Sequence, residues 1–221
     1  MPGICRTPGF WGTHTCPETV DGNGNPTAQH CEKLRSTNLT QLVINKTATH
    51  SLTICGECLK NTALDDAASA QEAICVSPRG DQTLQLARQL TATALNCIMS
   101  QQVAPPIAGD VCANLGIGGV FDDCNNNVCL GNPSQLGLSV GDCINALDCF
   151  NNGGMSDGAG NCIAGGPNNC HNQPLCNQTL GICFNDPGPA GGSNNCNNAI
   201  GNACTITGPG EALCGADSPC P

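Results

Sequence analysis

The sequence predicts a small disulfide-rich fold, mixed but mainly α-helical, with a long region of irregular loops stapled by disulfides. Cysteine accounts for 20 of the 221 residues, a share typical of disulfide scaffolds. Aromatic residues make up only 2 % of the chain, whereas 28 glycines and 15 prolines favour turns and loops. Such a chain buries little apolar surface, so we expect covalent cross-links to restrain the fold.

The cysteines are expected to be fully paired, because their number is even and the core is lean. Disulfides persist in oxidising compartments, so the predicted location is secreted, extracellular or on the cell surface. The alternative is a reduced metal protein, but zinc modules usually carry paired C-x-x-C knuckles, and only Cys55 and Cys58 have that spacing. The predicted disulfide cysteines are Cys5, Cys16, Cys31, Cys55, Cys58, Cys75, Cys97, Cys112, Cys124, Cys129, Cys143, Cys149, Cys162, Cys170, Cys176, Cys183, Cys196, Cys204, Cys214 and Cys220.

The first part of the chain predicts a loop, two helical segments, a short extended piece and one short strand. Residues 1–30 hold four prolines and many glycines and are expected to be loop. Residues 31–46 favour a short helix and then an extended piece at 42–44, and residues 51–54 favour a short strand. Residues 57–76 are predicted to be helical, because small apolar residues recur there at helical spacing.

Two further helices are predicted at residues 81–102 and 139–150. In the first, Asp81 is a suitable N-cap, and apolar residues recur on one face at spacings of three and four. In the second, Ser139 and Asp142 resemble a capping box, although the residue that usually pairs with Ser in such a box is Glu or Gln.

The stretch VAPPIAGD at 103–110 marks a boundary between two regions of different composition. Residues 1–102 form a helical region, and residues 110–221 form a region rich in Asn, Gly, Pro and Cys. Seven cysteines precede the boundary and thirteen follow it. Both numbers are odd, so complete pairing within the chain requires at least one disulfide across the boundary, which would make the two regions one unit.

Composition and motifs argue against several classes of function. The formal charge is −10 with only seven Lys and Arg, which argues against nucleic acid as a partner. No apolar run is long enough to span a membrane, and C-x-x-C-H, which covalent haem attachment needs, is missing. The N-terminal residues lack the apolar core of a signal peptide, so a signal is expected to have been removed. No nucleophile motif is present either, and we expect no enzymatic activity.

A calcium loop is predicted at residues 21–32, DGNGNPTAQHCE. Oxygen-bearing side chains alternate at its start, and a glutamate stands twelfth, as in EF-hand loops. Pro26 stands where such loops need glycine, so an Asx turn without metal is the alternative. The predicted ligands are Asp21, Asn23, Asn25 and Glu32 through side chains and Thr27 through its carbonyl.

The aromatic residues are concentrated in GICRTPGFWGTHTC at 3–16, where Phe10 and the single tryptophan, Trp11, stand between Cys5 and Cys16. The segment TPGFWGTH resembles the TPGYWKNH-type motif of secreted, cysteine-rich bacterial proteins of mostly unassigned function. LARQLTATALN and CFNDPGPAGGSNNCNNA are similar to the LARQL-x-AAKLN helix and a Pro-Gly-rich tail of the same proteins. The resemblance implies export, and it suggests that Phe10 and Trp11 are an aromatic plug against helix 81–102.

Three functions are therefore open. The first is an extracellular structural or interaction protein, a self-assembling subunit of a filament or surface layer, with itself or other surface components as partner. The second is a secreted module that binds a glycan or surface ligand, with Trp11 as its aromatic platform. The third is a thiol–disulfide oxidoreductase acting through Cys55 and Cys58, since CGEC follows a predicted strand and opens a predicted helix.

Overall fold

The structure is a computed structural model, and it describes only part of the chain. The described residues are 4–15, 38–63, 68–75, 78, 80–101, 103, 106–113, 115–156, 162–163, 175–177, 179–180 and 182–184. Within them the fold is mixed helical with short hairpins and irregular loops, as the sequence predicts.

Helix α4, Gln82–Ser100, is the central element of the described fold. It begins at Asp81, whose carboxylate accepts a hydrogen bond from the Thr83 N–H at 2.8 Å, so the predicted N-cap and helix are confirmed. From Leu90 to Met99 every residue of α4 is buried. A helix that is buried on all sides must be covered by several other elements. The helices that contact it are α1 (Pro8–Thr13), α2 (Leu39–Ile44), α3 (Ala70–Cys75), α5 (Gly118–Asn126) and α6 (Val140–Asn151).

Helices α5 (Gly118–Asn126) and α6 (Val140–Asn151) follow in the second part of the chain. Ser139 and Asp142 form a full capping box at the start of α6, which confirms the predicted helix and its cap. Hydrogen bonds from the Ser139 hydroxyl and N–H lower the pKa of Asp142. The sequence did not predict α5 or the 3-10 turn Val128–Leu130, because their Gly, Asp and Asn residues are poor helix formers.

The predicted helix at 57–76 is wrong for most of its described residues, which are 57–63 and 68–75. Residues Leu52–Ile54 (β1) and Glu57–Leu59 (β2) form an antiparallel hairpin, which confirms the predicted strand but not the helix after it. Cys55 and Gly56 both take positive φ angles, 51° and 82°, as a two-residue hairpin turn requires. Among the described residues of this range, only Ala70–Cys75 (α3) is helical, and all six of its side chains are buried.

Two other expectations for the N-terminal region are also wrong. Residues 8–13 are not loop but a short helix, α1 (Pro8–Thr13), in which Pro8 occupies the first turn, where proline is tolerated. Residues 42–44 are not extended but belong to α2 (Leu39–Ile44), which begins where Asn38 accepts a hydrogen bond from the Gln41 N–H. The β-branched residues there favoured a strand, but packing against α4 overrides that preference.

The last described elements are two short antiparallel hairpins. Met155–Ser156 (β3) pairs with Cys162–Ile163 (β4), and Leu175–Asn177 (β5) pairs with Ile182–Phe184 (β6). The amide of Asn177 donates to the Met99 carbonyl at 2.9 Å and so joins β5 to the end of α4.

A buried amide network joins the N-terminal segment to α4 and α6. Asn96, fully buried, accepts from the Arg6 N–H at 2.8 Å and from the Trp11 indole at 3.1 Å. It donates to the Arg6 carbonyl and to the Asn151 side chain, both at 2.8 Å. Asn151 in turn donates to the Gln89 side chain at 2.8 Å. Because each amide finds partners, this network fixes one arrangement of three segments in the core.

Candidate functional site

A cleft of about 440 Å³ lies where the β1 hairpin, α5 and the segment before Cys112 meet. Its volume falls within the range of small-molecule sites. The lining residues are Thr47, Ala48, Thr49, Ser51, Leu52, Thr53, Ile54, Ala94, Ile107, Gly109, Asp110, Val111, Phe121, Asp122, Asn125 and Asn126. The polar residues of this lining carry hydroxyl, amide or carboxyl side chains, and within the described part of the chain none of the lining residues is basic.

The first wall, residues 47–54, is held by backbone and hydroxyl contacts. The buried Thr47 hydroxyl accepts from the Ser51 N–H at 2.9 Å, which closes the turn before β1. The Ala48 N–H donates to the Ile107 carbonyl, and the Ile107 N–H donates to the Lys46 carbonyl, both at 2.7 Å. These two bonds join the first wall to the segment that carries Asp110.

Asn125 joins the first wall to α5. Its side-chain oxygen accepts from the Cys55 N–H at 2.8 Å, and its amide donates to the Thr53 carbonyl at 3.1 Å. The outer edge of β1 is thereby bonded by a side chain rather than by another strand. Asn125 itself is buried, so it supports the cleft more than it offers groups to a ligand.

Asp110 and Asp122 both line the cleft and interact with each other. The pKa of Asp122 is raised to about 6 by partial burial, by repulsion from Asp110 and by a side-chain hydrogen bond with Asp110. The Asp110 carboxylate also accepts from the Cys112 N–H at 2.8 Å, which fixes its position. The pair therefore retains a proton to higher pH than an isolated aspartate would.

Asp123, the next residue in sequence, has a different role. It is buried and accepts hydrogen bonds from the Ser134 hydroxyl, the Gln135 and Leu136 N–H groups and the Asn127 amide. Burial raises its pKa, but these four hydrogen bonds outweigh burial and lower it. Asp123 therefore holds the loop between α5 and α6 and does not reach the cleft.

Disulfides hold the walls of the cleft in place. Cys55 at the end of β1 is joined to Cys129, Cys97 in α4 to Cys112, and Cys124 in α5 to Cys143 in α6. The first two bridges connect residues before position 103 with residues after position 110. Cys5, Cys58, Cys75 and Cys149 are disulfide-bonded as well. No cysteine is free within the described residues.

These pairings correct the interpretation of CGEC as a redox pair. A C-x-x-C oxidoreductase forms its disulfide between the two cysteines of the motif. Here Cys55 is joined to Cys129 instead, and both Cys55 and Cys58 are fully buried. Cys55 and Gly56 supply the positive φ angles of a hairpin turn, so the motif has a structural explanation.

The other residues singled out from the sequence are distributed as follows. Trp11 is fully buried with its indole bonded to Asn96, so it cannot serve as the exposed platform of a glycan site. Phe10 is half-buried and lies edge-on to Trp11, with 5.3 Å between ring centroids. Outside the described residues lie the predicted calcium ligands Asp21, Asn23, Asn25, Thr27 and Glu32, and the cysteines Cys16, Cys31, Cys170, Cys196, Cys204, Cys214 and Cys220.

Sequence reasoning missed the pairing of Asp110 with Asp122. The two residues belong to no motif, and each stands in a segment read as boundary or loop. Only the fold of residues 106–113 against α5 brings them together. Asp122, Asp123 and Asn125 place several side-chain oxygens close together in sequence, but nothing in that stretch points to Asp110.

In the described part of the chain, no group of three or more His, Cys, Asp or Glu side chains is placed to hold a metal ion. No described helix is long and apolar enough to cross a membrane. The chain matches no protein-family model, and no curated protein or solved structure is significantly similar to it. The resemblance of its N-terminal motif to secreted bacterial proteins therefore stays a prediction, and the function must be argued from the cleft.

Proposed function

We propose that this chain is an extracellular, disulfide-braced interaction protein whose partner binds in the cleft between β1 and α5. The observation that carries the proposal is that all three walls of the cleft are cross-linked. Cys55–Cys129 holds the hairpin wall, Cys97–Cys112 holds the wall with Asp110, and Cys124–Cys143 holds α5. A cleft fixed in this way loses little conformational freedom on binding, which favours affinity.

The export predicted from the cysteine content agrees with this proposal. Ten of the described cysteines are disulfide-bonded, and such bonds persist in oxidising compartments. Homopolymer interfaces are usually more apolar than other surfaces. Among the described residues, Val103 and Leu136 are the large apolar side chains that are strongly exposed. The proposal is therefore centred on the cleft rather than on self-assembly into a filament or surface layer.

A cleft-filling variant tests the proposal. Ala48 lines the cleft and is exposed, so Ala48→Trp fills the space while its backbone bond to Ile107 remains. Ala113 is equally exposed and lies outside the lining, which makes Ala113→Trp the matched control. Fluorescently labelled oxidised protein is incubated with washed cells of the source organism, and bound protein is measured after sedimentation. We expect Ala48→Trp to lose at least about tenfold in binding and Ala113→Trp to bind like wild type.

Two results would count against the proposal. Equal binding by both variants would place the interaction elsewhere, and the lack of any binding would remove the cell surface as partner. Electron microscopy of the native protein tests self-assembly separately. If wild type and Ala48→Trp form filaments equally well, the hypothesis of a structural subunit is favoured over that of a partner bound in the cleft.

A second candidate function rests on the carboxyl pair itself. Two aspartates that share one proton form the arrangement with which aspartic proteases activate water. Cleavage of denatured casein at about pH 5, lost in Asp122→Asn and retained in Asp81→Asn, would establish hydrolysis. Casein that stays intact with wild type would leave binding as the role of the pair.

A further inference from the structure

We infer that the ligand of the cleft is a neutral polyhydroxylated molecule, the end of a saccharide chain. This inference rests on the proposed function and names the ligand class of the same site. It uses the lining chemistry of the whole cleft and does not involve Trp11, the residue on which a glycan platform was expected from the sequence.

The charge of the cleft excludes anionic ligands. Among the described residues that line it, Asp110 and Asp122 are the only ionisable ones, and none is Lys, Arg or His. A phosphate, sulfate or carboxylate ligand would find no positive partner there and would be repelled by the carboxyl pair. The formal charge of −10 for the whole chain adds to that repulsion.

The exposed polar groups match hydroxyl ligands. Thr49, Thr53 and Asn126 line the cleft and are exposed, so their hydroxyl and amide groups are open to a ligand. Hydroxyls both donate and accept hydrogen bonds, and amides offer one acceptor and two donors. Below about pH 6, where Asp122 holds a proton, the carboxyl pair likewise presents a donor beside acceptors. A saccharide hydroxyl, which is donor and acceptor at once, is complementary to each of these groups.

The cleft also offers apolar contact to the C–H faces of a sugar ring. Ile107 and Phe121 are buried lining residues, and Val111 is a half-buried one, so part of the wall is apolar between the polar groups. Ligand sites combine an apolar wall with a few placed polar groups in this manner. A fully apolar ligand is disfavoured, because it would desolvate Asp110 and Asp122 without giving them partners.

The carboxyl pair is arranged to bind a saccharide rather than to hydrolyse it. Glycosidases place their two carboxyl groups on either side of the scissile bond, at least about 5 Å apart. The repulsion and side-chain hydrogen bond through which Asp110 raises the pKa of Asp122 require the two carboxyl groups to be neighbours, rather than groups on opposite sides of a bound glycosidic bond. Bound saccharide is therefore expected to stay intact.

The test uses oxidised full-length protein on a glycan array that carries neutral, amine-bearing, carboxylated and sulfated oligosaccharides. Hits are then measured by calorimetry with free cello-, chito- or manno-oligosaccharide. We expect neutral glycans to bind and acidic ones to fail. Asp110→Asn keeps an oxygen for the Cys112 N–H but removes the charge, and it should weaken binding at least about tenfold.

Asp81→Asn is the matched control, because it removes the same charge at the far end of α4 and asparagine is an equally good N-cap. It should bind like wild type. Ala48→Trp should abolish binding, and the recovered oligosaccharide should have its original length by mass spectrometry.

The outcomes separate this inference from the proposed function. Absence of neutral-glycan binding overturns the inference. If Ca²⁺ or an amine-bearing glycan binds instead and Ala48→Trp prevents it, the cleft remains the interaction site and only the saccharide is wrong. Neutral glycans that bind Ala48→Trp as tightly as wild type would overturn both, since the saccharide would then bind outside the cleft.

Discussion

Replacement of Asn96 by alanine tests whether the buried amide network holds the N-terminal segment in the core. The change removes the acceptor for the Arg6 N–H and for the Trp11 indole, at 2.8 and 3.1 Å, and leaves two donors inside a site that water does not reach. Each buried donor without a partner costs about 1–3 kcal/mol. The Arg6 carbonyl and Asn151 also lose a donor, so we expect a loss of about 3–5 kcal/mol in the free energy of unfolding.

Urea unfolding with the disulfides intact measures this loss, and Trp11 reports it, because it is the single tryptophan and is fully buried. The matched control is Asn152→Ala, which removes an exposed amide that donates to the Asp148 carbonyl at 2.9 Å. The control should lose less than about 1 kcal/mol. If Asn96→Ala lowers the free energy of unfolding by no more than the control does, the amide network does not stabilise the core and the reasoning is wrong.

Three further predictions concern the carboxyl pair, the cysteines and calcium. The pKa of Asp122 is raised in the folded state, so between about pH 4 and pH 6 the folded protein keeps a proton that the unfolded chain has lost. The free energy of unfolding therefore falls as the pH rises through this range and Asp122 becomes ionised. Asp122→Asn should therefore be more stable than wild type at about pH 7, by about 1 kcal/mol after allowance for solvent screening, and equal to it at about pH 4; a difference independent of pH would contradict this. Alkylation of the denatured, unreduced protein should label almost no cysteine. Labelling of many cysteines would contradict full pairing and favour the alternative of a reduced metal protein. Calorimetric titration of chelator-treated protein with Ca²⁺ should give heats that Asp21→Ala and Glu32→Gln reduce, whereas equal heats in all three would leave residues 21–32 without a metal site.

The sequence predicted the elements whose signals are local. Helix α4 has a capping residue and a long apolar period, and α6 has a capping box, so both were placed within a residue or two. Helix α1 was missed because Pro8 and the glycines around it suggest a loop, although proline is compatible with the first turn of a helix. The hairpin was missed in part because a cysteine with positive φ is uncommon. Cys55 takes that φ here, where its disulfide to Cys129 and its hydrogen bond to Asn125 hold it in place.

The candidate site was harder to predict than the helices, because its residues meet only in the folded chain. Asp110, Asp122 and Thr49 come from three segments without a shared motif. Asp122 and Asp123 are adjacent and chemically identical, yet one faces the cleft and the other caps a loop. A helix turns by roughly 100° per residue, so the direction of each carboxylate depends on the orientation of α5, which only tertiary packing sets.

The long-range bonds of the N-terminal segment also set an order of events during folding. Ile4, Arg6 and Trp11 bond to residues 96, 90 and 85 positions later in the chain, so their partners emerge from the ribosome well after they do. Until α4 has been synthesised, these hydrogen bonds cannot form and the N-terminal segment has no core helix to pack on. Docking of the N-terminal segment is therefore a late step, and its rate should depend on closing a loop of 85–96 residues rather than on helix formation, which is fast.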